Sequence, residues 1–380
     1  MRRLAVINGL RGYAILGVVY FHLIGVFFNR PGWYSFSVGN VPIFPLTYLG
    51  HGWLGVDLFF ILSGFVLYLP YANGSRVLKT GADLRGFYQN RASRLLPLYY
   101  ITLVISIFFI VHESNIHDWS FWKNMILMFT VTFNFTKATF IPSYNYVLWS
   151  LGIEVLFSVI FPLLIWLIVK KGIVKFCIAV FYLSFIIRVI SCFYPEYIVA
   201  PHLNIIKDSL FGRLDDFVTG MLICHWFVTD WKQKWFEQYS ILLFLSALII
   251  ITLGCYFSDY VFLGYINSYF EPLINTSFQV GFGLLTLSLL HMKKNAVSFL
   301  FTNKFIQLCG MMCYSLYIWH GNMRMVFIAD YTALRIITYL MFLFLLAFLT
   351  YRYIEFGNKK LEDILPKNDE QPKPSLKPGA

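Results

Sequence analysis

Charge is scarce in this chain. Only 13% of its 380 residues are charged, whereas 58% are hydrophobic, and the mean hydropathy is +0.66. A soluble protein of this length has more surface than so few charges cover, so an ordinary water-soluble domain is excluded. The six cysteines are scattered among apolar segments, and the sequence therefore predicts neither a disulfide framework nor a metal site. No small-residue cleavage site follows the first apolar run, which we expect to remain as a helix.

Long apolar runs dominate what is present. Basic residues outnumber acidic ones by 30 to 19. In a membrane protein this excess is typical of cytoplasmic loops and of contact with anionic headgroups, not of nucleic-acid binding. Ten segments are long enough to span a bilayer: 13–28, 53–71, 95–111, 147–169, 173–193, 209–229, 239–257, 273–292, 311–328 and 334–356.

The Lys and Arg clusters decide the topology. If the weaker apolar segment 119–135 is re-entrant or interfacial, every basic cluster falls on one side of the membrane and both termini are cytoplasmic. The sequence thus predicts an all-α integral membrane protein, a bundle of about ten transmembrane helices. We expect residues 1–360 to form one membrane domain. Residues 361–380, rich in Pro and Lys, are expected to be a short disordered cytoplasmic tail with no soluble domain attached.

Arg11 and His22 stand at the two ends of an apolar run. In a helix, residues eleven apart lie on one face, roughly 16 Å from each other along the axis. That distance is about half of a hydrocarbon core of about 30 Å. Arg11 then lies at the membrane surface and His22 near its middle. An intramembrane histidine is either a packing residue bonded to a neighbouring carbonyl or a general base or proton relay, and we favour the second.

Arg91 and Arg94 share a helix face at the entrance to another apolar span, near Pro97. Taken alone, they indicate only positive-inside topology. Together with Arg11 on the same side, they form a candidate multi-donor site for phosphate oxygens, which guanidinium groups bind well.

Further polar residues interrupt other apolar segments: Asp57, Ser63, Glu154, Arg213 and His320. Ser63 precedes Gly64, and small residues favour close helix packing. Glu154 is expected about two turns below the outer surface, where a carboxylate needs a partner or a hydroxyl to hold. Arg213 adjoins Asp215 and Asp216. These three either pair among themselves or contribute to a site at the outer end.

Five motifs occur in the order seen in one family: Arg11-x10-His22, Phe59-Phe60-x-x-Ser63-Gly64, Arg91-x-x-Arg94, Trp149-Ser150-Leu151 with Glu154, and Ser315-Leu316-Tyr317-Ile318-Trp319-His320. The chain resembles the acyltransferase family 3 membrane proteins, of the O-antigen acetylase type, over roughly residues 4–357. The resemblance implies a multi-helix bundle, an acyl-CoA donor reached from the cytoplasm and a catalytic histidine at His22. It also implies donor-side arginines at Arg11, Arg91 and Arg94.

The expected function is that of a membrane-embedded O-acyltransferase in a bacterial cytoplasmic membrane. It would move an acyl group, with acetyl expected, from acyl-CoA to a hydroxyl of a surface or secreted glycan such as a lipopolysaccharide or exopolysaccharide. His22 is a general base or a transient acyl carrier. Glu154 is expected to act with it on the acceptor side, supported by Asp57, Ser63, Arg213 and His320. No permanently bound cofactor or metal is expected.

The alternative is a transporter or flippase of a glycolipid or acyl donor. Polar residues at both ends of one bundle also suit a translocation path. Inverted repeats and broken helices would favour that alternative, and neither is evident in the sequence.

Overall fold

The computed structural model describes residues 2–25, 36–39, 41–110, 117–200, 203–328 and 331–356. The predicted tail, 361–380, lies outside them. Within these ranges the chain is almost entirely helical. Its α-helices are α1 (Arg2–Tyr20), α2 (Thr47–Gly50), α3 (Gly55–Ala72), α4 (Gly81–Ile110), α5 (Trp119–Phe129), α6 (Leu148–Lys171), α7 (Ile173–Ser191), α8 (Leu214–Val228), α9 (Gln233–Gln238), α10 (Ser240–Phe262), α11 (Glu271–His291), α12 (Ala296–Thr302), α13 (Lys304–Met311), α14 (Cys313–Phe327) and α15 (Ala333–Thr350).

Two small antiparallel sheets lie in the connections. Strand β1 (Phe36–Val38) pairs with β2 (Val41–Ile43), and β3 (Ile198–Ala200) pairs with β4 (Leu203–Asn204). Each has only two strands, so neither forms a layer of the fold. The hydrophobic core lies between the helices.

Eight helical segments in the described part of the chain are long and apolar enough to cross a membrane: Ala5–Ile24, Gly52–Ala72, Gly81–Phe108, Leu148–Lys171, Ile173–Ser191, Ser240–Phe262, Ser268–His291 and Ala333–Glu355. They coincide with eight of the ten predicted spans. The other two, 209–229 and 311–328, contain the 15-residue helices α8 and α14. Both are shorter than the about 20 residues that a complete crossing needs. The all-α, multi-span fold is confirmed, whereas the number ten is not.

Close contacts between backbones hold the central helices together. A Cβ atom placed on Gly64 of α3 would lie 1.9 Å from the carbonyl oxygen of Phe217 in α8, and one on Gly220 would lie 1.8 Å from that of Ile61. Small residues permit this approach, which a larger side chain would block. The predicted packing role of Gly64 is therefore confirmed.

Helix α1 occupies the middle of the bundle. It contacts α3, α11, α12, α13 and α14. A Cβ atom on Gly310 of α13 would lie 1.7 Å from the carbonyl oxygen of Asn8, so α1 and α13 also pack backbone to backbone. This central position directs Arg11 and His22 of α1 toward the interior of the bundle rather than toward lipid.

The segment 119–135 contains no helix long enough to cross a membrane. Its helix, α5, has 11 residues, a length of about 16 Å. The chain then continues into the protein without regular helix as far as α6, and Phe133, Tyr144 and Asn145 along it are at most 3% exposed. Non-helical backbone at such depth is tolerated where protein surrounds it. Helix α6 consequently begins inside the bundle, so its residues lie deeper than a start at the membrane surface would place them.

Candidate active site

His22 and His320 form the centre of the candidate site. Helix α1 continues past Tyr20 as a π-helical turn, Phe21–Gly25, which carries His22, while His320 belongs to α14. Turns of this kind occur frequently at functional sites. Nε2 of His320 lies 3.2 Å from Nδ1 of His22, and the ring centroids are 5.1 Å apart. The structure thus brings together two histidines that the sequence placed only in separate segments.

Backbone carbonyl partners determine which ring nitrogen of each histidine carries the hydrogen. Nδ1 of His22 lies 3.0 Å from the carbonyl oxygen of Val18, and Nδ1 of His320 lies 2.6 Å from that of Tyr317. Because a carbonyl oxygen only accepts, Nδ1 is the protonated nitrogen in each neutral imidazole. The hydrogen on Nδ1 of His22 is then shared between Val18 and the lone pair on Nε2 of His320. Nε2 of His22 keeps its lone pair and has no hydrogen-bond partner among the described residues.

A second feature is a cavity of about 420 Å³ beside α1, which we call the arginine cavity. Its lining residues include four arginines and one carboxylate: Arg11, Arg76, Arg91, Arg94 and Glu154. The guanidinium groups of Arg11 and Arg94 donate no hydrogen bond to any other described residue, so both are available to a ligand. The volume is typical of a small-molecule site, and the surplus of positive charge favours a polyanion.

A narrower space of about 50 Å³, the inner cleft, continues from the arginine cavity. Arg11 and Arg94 line both spaces, and Ser150 and Tyr317 line the cleft alone. The hydroxyl oxygens of Ser150 and Tyr317 are 2.5 Å apart. The ring of Tyr317 also packs against His320, with a centroid distance of 5.3 Å. The inner cleft therefore leads from the arginines to a tyrosine that touches the histidine pair.

Glu154 lies in the arginine cavity, beside the arginines that the sequence assigned to the donor, and not apart from them as expected. Its Oε1 accepts a hydrogen bond of 3.1 Å from Nη2 of Arg91 and one of 3.4 Å from the hydroxyl of Ser63. Arg91 also donates to the hydroxyl of Ser158. The physical reason is that α6 begins within the bundle, so Glu154 reaches the arginine cavity. Its carboxylate holds Arg91 in place.

Asp57 and Arg213 belong to a separate, buried ionic cluster. Nη1 of Arg213 donates to Asp57 at 3.0 Å, and its Nη2 and Nε donate to Asp208 at 2.6 and 2.8 Å. Asp216 lies 3.6 Å from the same guanidinium. All four residues are at most 2% exposed. Arg213 therefore joins α3 to the segment before α8 instead of pairing only with its neighbours in sequence.

Asp215 does not pair with its sequence neighbour Arg213. It accepts a 2.5 Å hydrogen bond from Nη2 of Arg188 in α7. This contact extends the ionic cluster across three helices. These ion pairs connect the three helices, and none of their charged groups contacts His22 or His320 among the described residues.

Sequence reasoning overlooked several residues of the site. Arg76 and Asn90 line the arginine cavity. The hydroxyl of Ser315 donates to Glu355, which interacts electrostatically with Arg94 and Arg11. Tyr146 packs on the ring of His22 at 5.1 Å. The polar character of Arg76 is visible in the sequence, but nothing there shows that it shares a cavity with residues of α1 and α6.

Three curated relatives match parts of this chain. "Putative acetyltransferase ORF330" of Acidianus two-tailed virus is 30% identical over 156 residues, which are 41% of this chain and 39% of the relative. "Putative peptidoglycan O-acetyltransferase YrhL" of Bacillus subtilis is 28% identical over 170 residues, 41% and 23% of the two chains. "Acyltransferase MdmB" of Streptomyces mycarofaciens is 29% identical over 164 residues, 42% and 39%. The matched part thus covers less than half of each of these relatives.

No solved structure matches the chain. The family comparison, in contrast, covers almost all of it. Residues 4–352, from the first turn of α1 to just past the end of α15, match the model described as "Acyltransferase domain". This range contains both histidines, the arginine cavity and the inner cleft, and the chain accordingly belongs to the acyltransferase 3 family.

Proposed function

We propose that the protein is a membrane O-acyltransferase that moves an acetyl group from cytoplasmic acyl-CoA to a hydroxyl of a glycan. The observation that carries this proposal is the line of groups from Arg11 and Arg94, through the inner cleft, to the histidine pair. The family membership and the names of the O-acetyltransferase relatives support the reaction type. The arginine-rich end would face the cytoplasm, in agreement with the distribution of Lys and Arg.

The donor half of the reaction would use the arginine cavity. Coenzyme A carries several phosphate groups, and the free guanidinium groups of Arg11 and Arg94 suit phosphate oxygens. Arg91, held by Glu154, would add a third donor. The pantetheine arm would extend along the inner cleft. The ring of Tyr317 would turn aside, because it lies between the cleft and His320.

The chemical step would depend on the free nitrogen of His22. Nε2 takes the proton of the acceptor hydroxyl while the hydroxyl oxygen attacks the thioester carbonyl carbon. The resulting tetrahedral intermediate expels the coenzyme A thiolate, which takes up the proton, and the acetyl ester remains on the acceptor. When His22 becomes an imidazolium, the hydrogen bond from its Nδ1 to Nε2 of His320 strengthens. His320 is therefore a positioning residue for His22.

The test uses the purified full chain in lipid nanodiscs with acetyl-CoA labelled in the acetyl group and a total bacterial glycan fraction. We expect label to move to glycan and free thiol to appear in equal amount. His22→Gln should lower the rate of both by at least about 100-fold, whereas His225→Gln, on a different helix, is the matched control and should retain them. Full transfer by the His22→Gln protein would overturn the proposal. Label retained on the wild-type protein in the absence of glycan would replace the general base with an acyl carrier.

A further inference from the structure

Arg324 lies one helical turn beyond His320 on α14. Along this helix, Cys313 lines the inner cleft, His320 meets His22, and Arg324 follows four residues later. At about 1.5 Å per residue, Arg324 is about 6 Å past His320 along the helix axis, on the side away from the arginine cavity. The histidine pair therefore has arginines on both sides.

The charge of Arg324 is not neutralised by any carboxylate of the described residues. Its Nη2 donates to the hydroxyl of Tyr331 at 2.9 Å, and its other hydrogen-bonding neighbour is the hydroxyl of Tyr146, so both of these partners are hydroxyl groups. Burying part of a guanidinium without a counter-charge is costly. Such a group is stabilised when an anion binds beside it.

Tyr146 connects this arginine to the reaction centre. Its ring packs on His22, and it interacts electrostatically with Arg324. The hydroxyl of Tyr146 is buried, and its hydrogen-bonding neighbour is the guanidinium of Arg324. A buried hydroxyl and a guanidinium without a carboxylate partner among the described residues thus lie together next to the imidazole that we assign as the base.

We propose that Arg324 and Tyr146 form an anion-recognition site for the acceptor. This inference rests on the proposed function and adds the chemical class of the acceptor: a sugar that carries a carboxylate or a phosphate close to the hydroxyl that is acylated. The donor phosphates occupy the opposite side of the histidine pair, so the two anionic substrates do not compete. Arg324 fixes the acceptor through a charged hydrogen bond, and Tyr146 adds a neutral one.

The first experiment measures binding to the full chain in detergent with coenzyme A saturating, so that the donor arginines are filled. The probes are glucuronate, glucose 1-phosphate and glucose, and the readout is the dissociation constant from titration calorimetry. We expect at least one anionic sugar to bind tightly enough to measure and glucose to bind at least 10-fold more weakly. A preference for glucuronate identifies a carboxylate, and a preference for glucose 1-phosphate identifies a phosphate. Equal binding of all three probes, or of none, would overturn the proposal.

The variants locate the site. Arg324→Gln should weaken the preferred anion by about 10-fold to 100-fold, the usual effect of losing a charged hydrogen bond. Tyr146→Phe keeps the ring on His22, and it should raise the dissociation constant of the preferred anion by about 3-fold to 10-fold. Arg335→Gln, which removes an exposed positive charge on the neighbouring helix α15, is the matched control and should have no effect. Unchanged binding in Arg324→Gln would assign the anion to another site.

Failure of the proposed function can be distinguished from failure of the acceptor site. Coenzyme A affinity, measured in separate titrations of the same proteins without sugar, reports on the arginine cavity and on correct folding of each variant. If coenzyme A did not bind to the wild-type protein, the donor assignment would fail. If it bound while the anionic sugars did not, only the acceptor site would be wrong.

Discussion

Nε2 of His320 lies 3.2 Å from Nδ1 of His22, although 298 residues separate the two histidines in the chain. The contact determines which ring nitrogen of the pair stays free to accept a proton. His320 accepts at its only free nitrogen, so the nitrogen of His22 that remains available points its lone pair away from the pair. In the proposed mechanism this asymmetry makes His22 the base and His320 its supporting residue.

The two histidines should therefore differ in their effect on turnover. We expect His22→Gln to lower kcat by about 100-fold to 10,000-fold, the usual contribution of a general base. His320→Leu should lower kcat less, with little change in the KM for acetyl-CoA. His320→Gln keeps an acceptor atom and should recover part of the loss. Steady-state kinetics across a pH series checks this, and equal losses for both histidines, without recovery, would contradict the assignment.

Arg94 should act on the donor's phosphates and not on the thioester. Arg94→Gln is expected to raise the KM for acetyl-CoA by about 10-fold to 100-fold, because a charged hydrogen bond is lost. The same variant should treat S-acetylpantetheine, which has no phosphate, as the wild type does. Arg94→Lys keeps the positive charge, and its KM for acetyl-CoA should lie between those of the wild type and Arg94→Gln. An equal loss with both donors would mean that Arg94 serves folding or chemistry instead.

Glu154 and Arg91 should behave as one unit. If the carboxylate only holds the guanidinium in place, Arg91→Gln and the double variant with Glu154→Gln should have similar KM values for acetyl-CoA. The coupling energy from this double-mutant cycle should be about 0.5–3 kcal/mol. Independent, multiplying losses in kcat would instead restore Glu154 to the catalytic role that the sequence predicted.

The buried cluster around Arg213 should govern stability. Arg213→Met leaves Asp57, Asp208 and Asp216 without their shared cation, and we expect a loss of about 3–5 kcal/mol in the free energy of unfolding. The control is Lys207→Met. It breaks a single pair with Glu271, in which the lysine side chain is 10% and the carboxylate side chain 37% exposed, and it should cost less than Arg213→Met, which strips three buried carboxylates of their cation. Unfolding of both purified variants in the same detergent ranks their losses in free energy of unfolding. A larger loss for Lys207→Met than for Arg213→Met would refute the prediction.

Much of the fold could be predicted because its signals are local. Long apolar runs gave eight spans that the structure contains, and the helical spacing of Arg11 and His22 correctly placed both on one central helix. The small residue Gly64 indicated close packing, which the contact with Phe217 confirms.

The parts that could not be predicted depend on contacts between distant segments. The depth of Glu154 follows from the buried, non-helical stretch before α6, which has no periodic signal. Arg324 lies near the end of a short apolar segment, where an arginine usually indicates only the membrane surface. The pairing of Asp57 with Arg213 requires two helices to meet at glycines, and a single sequence does not specify which glycines face each other.

In the proposed function, the walls of the inner cleft would also limit the length of the donor's acyl chain. Phe59, Leu95 and Leu151 line a space of only about 50 Å³. A long hydrocarbon tail would have to displace packed side chains, and overfilling a packed interior costs about 1–3 kcal/mol or more. If the acyl donor uses this cleft as proposed, short acyl groups would be selected by exclusion and not by a specific contact. A relative that uses a fatty acyl donor would need smaller residues at these positions, while its histidines and arginines could stay the same.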